Sequence, residues 1–352
     1  MEGVEGQVIY SIKAQPFAGL LQRMRPHLDG FSVSSPFEAR LARQASPAPG
    51  VLHLTSPGVR DEDFQSLEGQ ITHLHFNSLE QLERLSSRVP SGIRIGLRIN
   101  HGVSSIEDAR YNPCREASKL GVPVMDFVRF MAECPGLSKK IEGLHFHTHF
   151  RERSPIPLAH ALKHLSNLLG SHLSQMAWLN LGGGYAPESP EEVQGFREVL
   201  EDFRKSFKGT LVLEPGAAVV GKAGSLRSRV IDTFVRDGVD VAVLDTGVHH
   251  VPEVFEYQKA PQIDEVRPKG HIRVQLVGMS CLAGDLFGTY AFDAPLKVGD
   301  TITLKDVGAY SLVKASRFNG HDLPALALRD AKGEIELLKQ FGFSDYLKQW
   351  GL

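Results

Sequence analysis

Over roughly the first 215 residues, short β-branched runs alternate eight times with longer segments carrying apolar residues at i, i+3 and i+4. The runs fall at residues 7–14, 30–34, 51–55, 73–77, 93–100, 141–147, 177–181 and 210–213. The helical segments fall at 17–25, 37–44, 79–88, 124–132, 158–169 and 191–205. A doubly wound open sheet also alternates, but eight units in succession favour closure into a (β/α)8 barrel. The expectation is an α/β fold with this barrel over residues 7–220. Beyond Gly216 the long helical periods stop. Residues 219–237, 240–245, 271–278, 301–304 and 325–328 read as strands joined by Gly- and Pro-containing turns, and 343–350 as a short helix. That predicts a C-terminal antiparallel β domain over residues 221–352.

Charge and composition narrow the function. The 39 Lys+Arg against 41 Asp+Glu give a net charge of −2, which argues against a nucleic-acid surface. With 42% hydrophobic and 23% charged residues the chain has the material for a large core. No apolar run approaches the ~20 residues of a membrane-spanning helix, and the acidic residues 1–6 do not resemble a secretory signal. Cys114, Cys134 and Cys281 are too widely spaced for a CxxC metal site or a disulfide framework. These features predict a cytoplasmic, two-domain protein.

In such a barrel the chemistry sits at the C-terminal strand ends. Here those ends supply Lys13, Ser34–Ser35, Asn77, Arg98 with Asn100, His147 with His149, Gly182–Gly184 and Glu214. Lys13, in the apolar run Val-Ile-Tyr-Ser-Ile-Lys-Ala, reads as a surface lysine or as a desolvated amine competent for a Schiff base. The three glycines make either a tight turn or a backbone cradle for a phosphate. Glu214, before Pro215 and Gly216, is a loop acid or the partner of a ring N–H. His145, His147 and His149 alternate and on a strand would share one face; that pattern suits a metal or a single histidine stacked on a planar cofactor. No cysteine or carboxylate cluster lies nearby to complete a metal set, and no metal is expected.

The order Lys13, His147, Gly182–Gly184, Glu214, Cys281, Tyr310 resembles the fold type III, alanine-racemase-like pyridoxal-phosphate decarboxylases. The stretches that carry the likeness are Asp29-Gly-Phe-Ser-Val-Ser-Ser, Asp108-Ala-Arg-Tyr-Asn-Pro-Cys, Ser118-Lys-Leu-Gly-Val-Pro, Asn180-Leu-Gly-Gly-Gly-Tyr, Pro252-Glu-Val-Phe-Glu-Tyr-Gln, Cys281-Leu-Ala-Gly-Asp-Leu-Phe-Gly and Gly308-Ala-Tyr-Ser-Leu-Val-Lys-Ala. They span almost the whole chain. The resemblance implies pyridoxal 5'-phosphate as cofactor, joined to Lys13, with His147 stacked on its ring, Glu214 at the ring nitrogen and Arg98 beside it. It implies phosphate contacts from Gly183, Gly184, Gly216 and Tyr310. It also implies Cys281 as proton donor in a homodimer with shared sites, and Asp245, Glu256 and Asp285 facing the substrate's amino groups.

Several departures bear on the substrate. Only twelve residues precede Lys13, where relatives carry a further strand and helix. His149 and Phe150, followed by Arg151-Glu-Arg, replace a glycine and serine after the stacking histidine. Ala217 stands where ornithine decarboxylases have a phosphate-binding arginine, and Leu282 where relatives often have an acid. The last two suit the branch acting on carboxynorspermidine or carboxyspermidine, a step of polyamine biosynthesis. The alternatives are another substrate bearing a 3-amino-3-carboxypropyl group, a catalytically inactive regulatory relative, or a racemase on the same fold.

Overall fold

The computed structural model describes residues 5–48 and 50–352; residues 1–4 of the acidic N-terminal stretch lie outside them. The chain divides into two compact units, Met1–Ala218 and Val219–Leu352.

The first unit is a closed barrel of eight parallel strands: β1 (Gly6–Ser11), β2 (Gly30–Val33), β3 (Val51–Thr55), β4 (His73–Phe76), β5 (Arg94–Asn100), β6 (Gly143–His145), β7 (Trp178–Asn180) and β8 (Thr210–Leu213). Each pairs with the next in sequence, and β8 returns to β1 with Gly6 opposite Leu211. Val122–Pro123 adds a two-residue strand beside the end of β5, outside the ring.

The intervening helices are α1 (Ala18–Met24), α2 (Pro36–Ala45), α3 (Asp63–Leu67), α4 (Leu79–Leu85), α5 (Val124–Glu133), α6 (Ile156–Leu169) and α7 (Pro190–Arg204). Three of them start the same way. Ser35, Ser78 and Ser189 cap α2, α4 and α7 by accepting the N–H of the residue three places on. The side chains of those residues, Glu38, Gln81 and Glu192, bond back to an N–H just ahead of the cap. This is a variant of the reciprocal capping box, and it fixes where strand turns into helix.

The first predicted strand is shorter than expected. Its ladder stops at Ser11, and Ile12–Ala14 form a 3-10 turn. The apolar signal continues because Ile12 and Ala14 stay fully buried after the pairing ends. The expected strand at 141–147 keeps only Gly143–His145, because its neighbour β7 ends at Asn180. His145, His147 and His149 therefore do not share one strand face. Helix α3, five residues long, is too short to show a helical period in the sequence.

The second unit holds a five-stranded sheet. Its strands are β9 (Leu226–Arg236), β10 (Val239–Leu244), β11 (Ile272–Val277), β12 (Leu286–Phe292) and β13 (Thr301–Leu304), in spatial order β12-β11-β10-β9-β13. Pairing is antiparallel except between β10 and β11, where Asp240 lies opposite Val274 in parallel register. A hairpin of β14 (Leu326–Arg329) and β15 (Ile335–Lys339) and a helix, Phe343–Gln349, follow. Sequence patterning missed β12 and β15, and its strand over 219–237 ran through the end of the short helix Ala217–Val220 and the turn Gly221–Ala223. Val230, Leu244, Leu276, Phe287 and Ile302 form the core of this unit.

Candidate active site

The turn after β1 puts Lys13 at the C-terminal end of the barrel, solvent accessible yet densely surrounded by protein, as in a recess. Burial lowers its pKa from the ordinary 10.5, Glu214 and Glu38 pull it upward, and the Arg98 cation pushes it down. Arg98, on β5, is itself buried, which brings its guanidinium down to about 10 against the attraction of Glu214. Lys13, Arg98 and Glu214 therefore feel one another directly.

Glu214 follows β8 and is 6% exposed. Burial opposes its ionisation, but its interactions with His145 and Asn180 outweigh that and hold the carboxyl below its usual range. Asn180 Nδ2 donates to Glu214 Oε1 at 2.7 Å, and His145 Nε2 lies 3.7 Å from Oε2. His145 is pulled below 6.5 by burial while Glu214 draws it up. The direction that follows for the pair is an ionised carboxylate.

His147 is half-buried, and its Nδ1 accepts the N–H of Gly183 at 3.1 Å. A backbone N–H can only donate, so Nδ1 is bare and the ring is neutral with its proton on Nε2. Burial, with Lys13 and Arg98 adding to it, holds the ring well below 6.5. The same bond changes one expectation: the Gly183 N–H is spent on His147 and is not free for a phosphate.

The glycine loop packs between its neighbours with no space for side chains. A Cβ at Gly183 would overlap the Glu214 carbonyl oxygen. One at Gly184, where φ is +90°, would overlap that of His149. The N–H groups of Gly184 and Gly216 donate to no group among the described residues. Gly216 sits against Ala14, whose Cβ would lie 3.1 Å from an added methyl.

His149 is buried against Tyr185, with ring centroids 4.9 Å apart and both nitrogens unpartnered; burial takes it to about 4. Glu152, two residues past Phe150, stitches three loops together. Its N–H reaches the Gly184 carbonyl at 2.8 Å, and its carboxylate takes the Ser105 hydroxyl at 3.0 Å. Among the described residues no group of three or more His, Cys, Asp or Glu side chains is arranged to hold a metal ion.

The second unit carries the other expected residues. Cys281 is exposed on the loop before β12, and its N–H donates to Asn319 Oδ1 at 2.9 Å. Asp285 was expected to face substrate, and the structure corrects this. The residue is 4% exposed, with Oδ1 taking the Val248 N–H at 2.7 Å and Oδ2 taking both the N–H and hydroxyl of Ser280. Its two oxygens tie the Cys281 loop to the segment at Val248. Asp245 is exposed, with Oδ1 bonded to the Ser228 hydroxyl at 2.6 Å and the Arg229 N–H at 2.7 Å. Glu256 pairs with Lys314 at 2.6 Å, and that ammonium also lies 5.5 Å from the Tyr310 ring. Tyr310 has a left-handed backbone, φ +64°.

Sequence reasoning missed the layer below the mouth. His53, His73 and His75 lie inside the barrel, all at most 8% exposed. His53 stacks on His73 at 4.0 Å, and the Trp178 N–H donates to His75 Nε2 at 3.1 Å. The signal was present: β4 carries histidine at alternate positions, 73 and 75, the spacing of one strand face, and β3 sets His53 opposite His73.

The donors at the mouth match a planar pyridine bearing an aldehyde and a phosphate. Lys13 is the amine, Glu214 the carboxylate for a ring nitrogen, and His147 the neutral ring. Gly184 and Gly216 hold free N–H groups, and Arg98 supplies fixed positive charge. A pyridoxal-phosphate enzyme of the barrel type is the class this fold and site define. The sequence model for "Pyridoxal-dependent decarboxylase, pyridoxal binding domain" matches residues 2–221, more than half the chain, so the protein belongs to the pyridoxal-phosphate-dependent decarboxylases.

Its similarity to individual members runs end to end. It is 30% identical over 355 residues to the carboxynorspermidine/carboxyspermidine decarboxylase of Campylobacter jejuni, covering 97% of this chain and 90% of that protein. It is 33% identical over 351 residues to the carboxyaminopropylagmatine decarboxylase of Synechocystis, covering 98% and 88%. The crystal structure of the Campylobacter jejuni carboxynorspermidine decarboxylase with norspermidine superposes with a TM-score of 0.87 at 29% identity, covering 98% of this chain and 92% of that one. The protein is thus a carboxy-lyase with pyridoxal phosphate as cofactor, and no helix among its described residues is long and apolar enough to cross a membrane.

Proposed function

We propose that this enzyme decarboxylates carboxynorspermidine or carboxyspermidine, yielding norspermidine or spermidine in polyamine biosynthesis. The observation that carries this reading is the end-to-end likeness to the Campylobacter jejuni enzyme, solved with norspermidine bound. Pyridoxal phosphate, when bound, supplies the electron sink for the pair left behind as CO2 departs.

The chain's own residues take the following roles. Lys13 is the covalent anchor, and its lowered pKa keeps neutral amine available for attack on a carbonyl. Glu214 stays ionised and holds a proton on the ring nitrogen it faces. His147 would offer its neutral ring to the bound cofactor, and Arg98 would lend positive charge nearby. The N–H groups of Gly184 and Gly216 and the Tyr310 hydroxyl bind the phosphate. Asp245 and Glu256 offer carboxylates to the substrate's amino groups.

The Cys281 thiol returns a proton to the α-carbon. We assign this thiol to the barrel of a second copy, so that the working form is a homodimer with shared sites. The support is its exposure among uncovered apolar side chains of the same unit, Leu282, Leu286 and Phe255. Three unpaired cysteines suit a reducing, cytoplasmic setting.

The test is mass spectrometry of cofactor-loaded protein incubated with each carboxypolyamine. Loss of CO2 is expected, and an unchanged mass for both compounds would overturn the substrate assignment. The 33% identity to the Synechocystis enzyme favours a second reading, in which the same carboxyl-bearing arm is carried on a guanidino body. Comparing kcat/KM for carboxynorspermidine and carboxyaminopropylagmatine separates the two.

A further inference from the structure

One buried amide touches both ends of the site. Asn180, the last residue of β7, has no solvent exposure. Its Oδ1 accepts the Gly182 N–H at 2.9 Å, and its Nδ2 donates to Glu214 Oε1 at 2.7 Å. Nδ2 also lies 3.3 Å from His53 Nδ1. Gly182 N–H can only donate and an ionised carboxylate can only accept, so the amide has one orientation. The backbones it joins are also bonded directly, Glu214 N–H to the Gly182 carbonyl at 2.8 Å. The main chains are therefore held without Asn180, and what the side chain adds is the aim of the carboxylate.

We infer that Asn180 is a positioning residue that locks the Glu214 carboxylate to the start of the glycine loop, fixing the distance between the group for a ring nitrogen and the cradle for an anion. A rigid ligand carrying a pyridine nitrogen at one end and a phosphate at the other needs both at once, so their separation sets affinity and alignment together. The inference rests on pyridoxal phosphate binding at this mouth and is independent of the substrate.

Asn180→Asp isolates the aiming role. The new side chain keeps an acceptor for Gly182 but, while ionised, cannot donate to Glu214, and it sets a second carboxylate against the first. Two carboxylates at that distance do not both ionise, so one binds a proton near neutrality. Lys13, Arg98, His145 and His53 face Glu214, with His147, His75 and Tyr185 beyond them. None of these is altered by the substitution. Asn180→Leu has a similar volume and removes both bonds.

The experiment is a pH titration of the absorption band of pyridoxal phosphate bound to the full-length protein, without substrate, together with cofactor affinity by equilibrium dialysis and a melting curve. For Asn180→Asp the band's titration is expected to move by at least about one pH unit while the melting temperature stays within a few degrees. For Asn180→Leu the cofactor affinity is expected to fall about tenfold or more. Should Asn180→Asp not fold, Asn180→Ser, whose hydroxyl keeps only one of the two bonds, is tested for the fall in cofactor affinity expected of Asn180→Leu. Wild-type titration and affinity in the folded variants overturn the inference alone. A wild-type protein with no cofactor band overturns both the cofactor assignment and the inference.

Discussion

Three histidines sealed inside the barrel make stability depend steeply on mild acid. His53, His73 and His75 are 1%, 8% and 0% exposed. Burial holds His53 and His75 well below the ordinary 6.5 and His73 at about 4, with neighbouring histidines and Arg94 adding to it. The hydrogen bonds agree. Trp178 donates to His75 Nε2, and Thr72 and Thr55 sit at Nδ1 of His73 and His75, so these two rings are served in their neutral form. In the unfolded chain the same rings protonate near 6.5, so acid favours unfolding. Their contribution is complete above that pH and is lost as pH falls toward the folded-state values. Between pH 7.5 and 5.5 each ring costs about 1.4 kcal/mol, or about 4 kcal/mol for the three. That is a large part of a typical folding margin of ~5–15 kcal/mol. Urea unfolding at pH 7.5, 6.5 and 5.5 measures it, and a midpoint drop of more than about 1 M is expected. His73→Phe, which keeps a ring of similar shape, should remove about 1.4 kcal/mol of the pH-dependent part, whatever it does to stability at pH 7.5. A drop below about 1 kcal/mol for the wild type, or an unchanged slope in His73→Phe, would refute the buried neutral layer.

Other expectations follow from single contacts. Lys13→Ala should leave the melting curve in place, because the side chain is solvent accessible, while abolishing turnover and any borohydride-fixed cofactor adduct. Gly184→Ala should cost at least about 1–2 kcal/mol for its left-handed backbone and weaken cofactor binding by displacing the His149 carbonyl; urea melts and dialysis read both effects. Trp178→Phe should cost about 1–3 kcal/mol by orphaning His75 Nε2, and a double variant with His75→Leu should recover part of it. Cys281→Ala should slow product formation far more than it weakens cofactor binding, and wild-type turnover in that variant would remove the thiol from the mechanism.

The strand–helix alternation was legible because a parallel barrel buries every strand and every inner helix face, so its period repeats without interruption. Where burial outlasted pairing the sequence misled. Ile12 and Ala14 look like strand because they are buried, yet the ladder ends at Ser11 and Lys13 rides on a turn. The alternating histidines from His145 to His149 look like one face because the period is two, yet only His145 remains in the sheet. In the second unit the parallel register of β10 with β11 follows from a crossover between distant segments, which no local period records.

At the site, residue type was legible but hydrogen-bond commitments were not. Asp285 and Glu214 are both buried carboxylates next to glycine-bearing segments. One is spent on the backbone N–H groups of Ser280 in its own loop and of Val248, and the other is aimed by an amide from a neighbouring strand. The histidine layer explains why that difference matters. With His53, His73, His75 and His147 held neutral, the charges around the recess reduce to Lys13 and Arg98 against Glu214 and Glu38. Two basic groups and two carboxylates leave few charges, close to balanced, in a densely packed recess where each acts strongly. Protonating any one of the four rings would add positive charge beside Glu214 and compete with a ring nitrogen for it. Neutral imidazoles fill the barrel interior without that competition, which lysine or arginine in the same layer could not do.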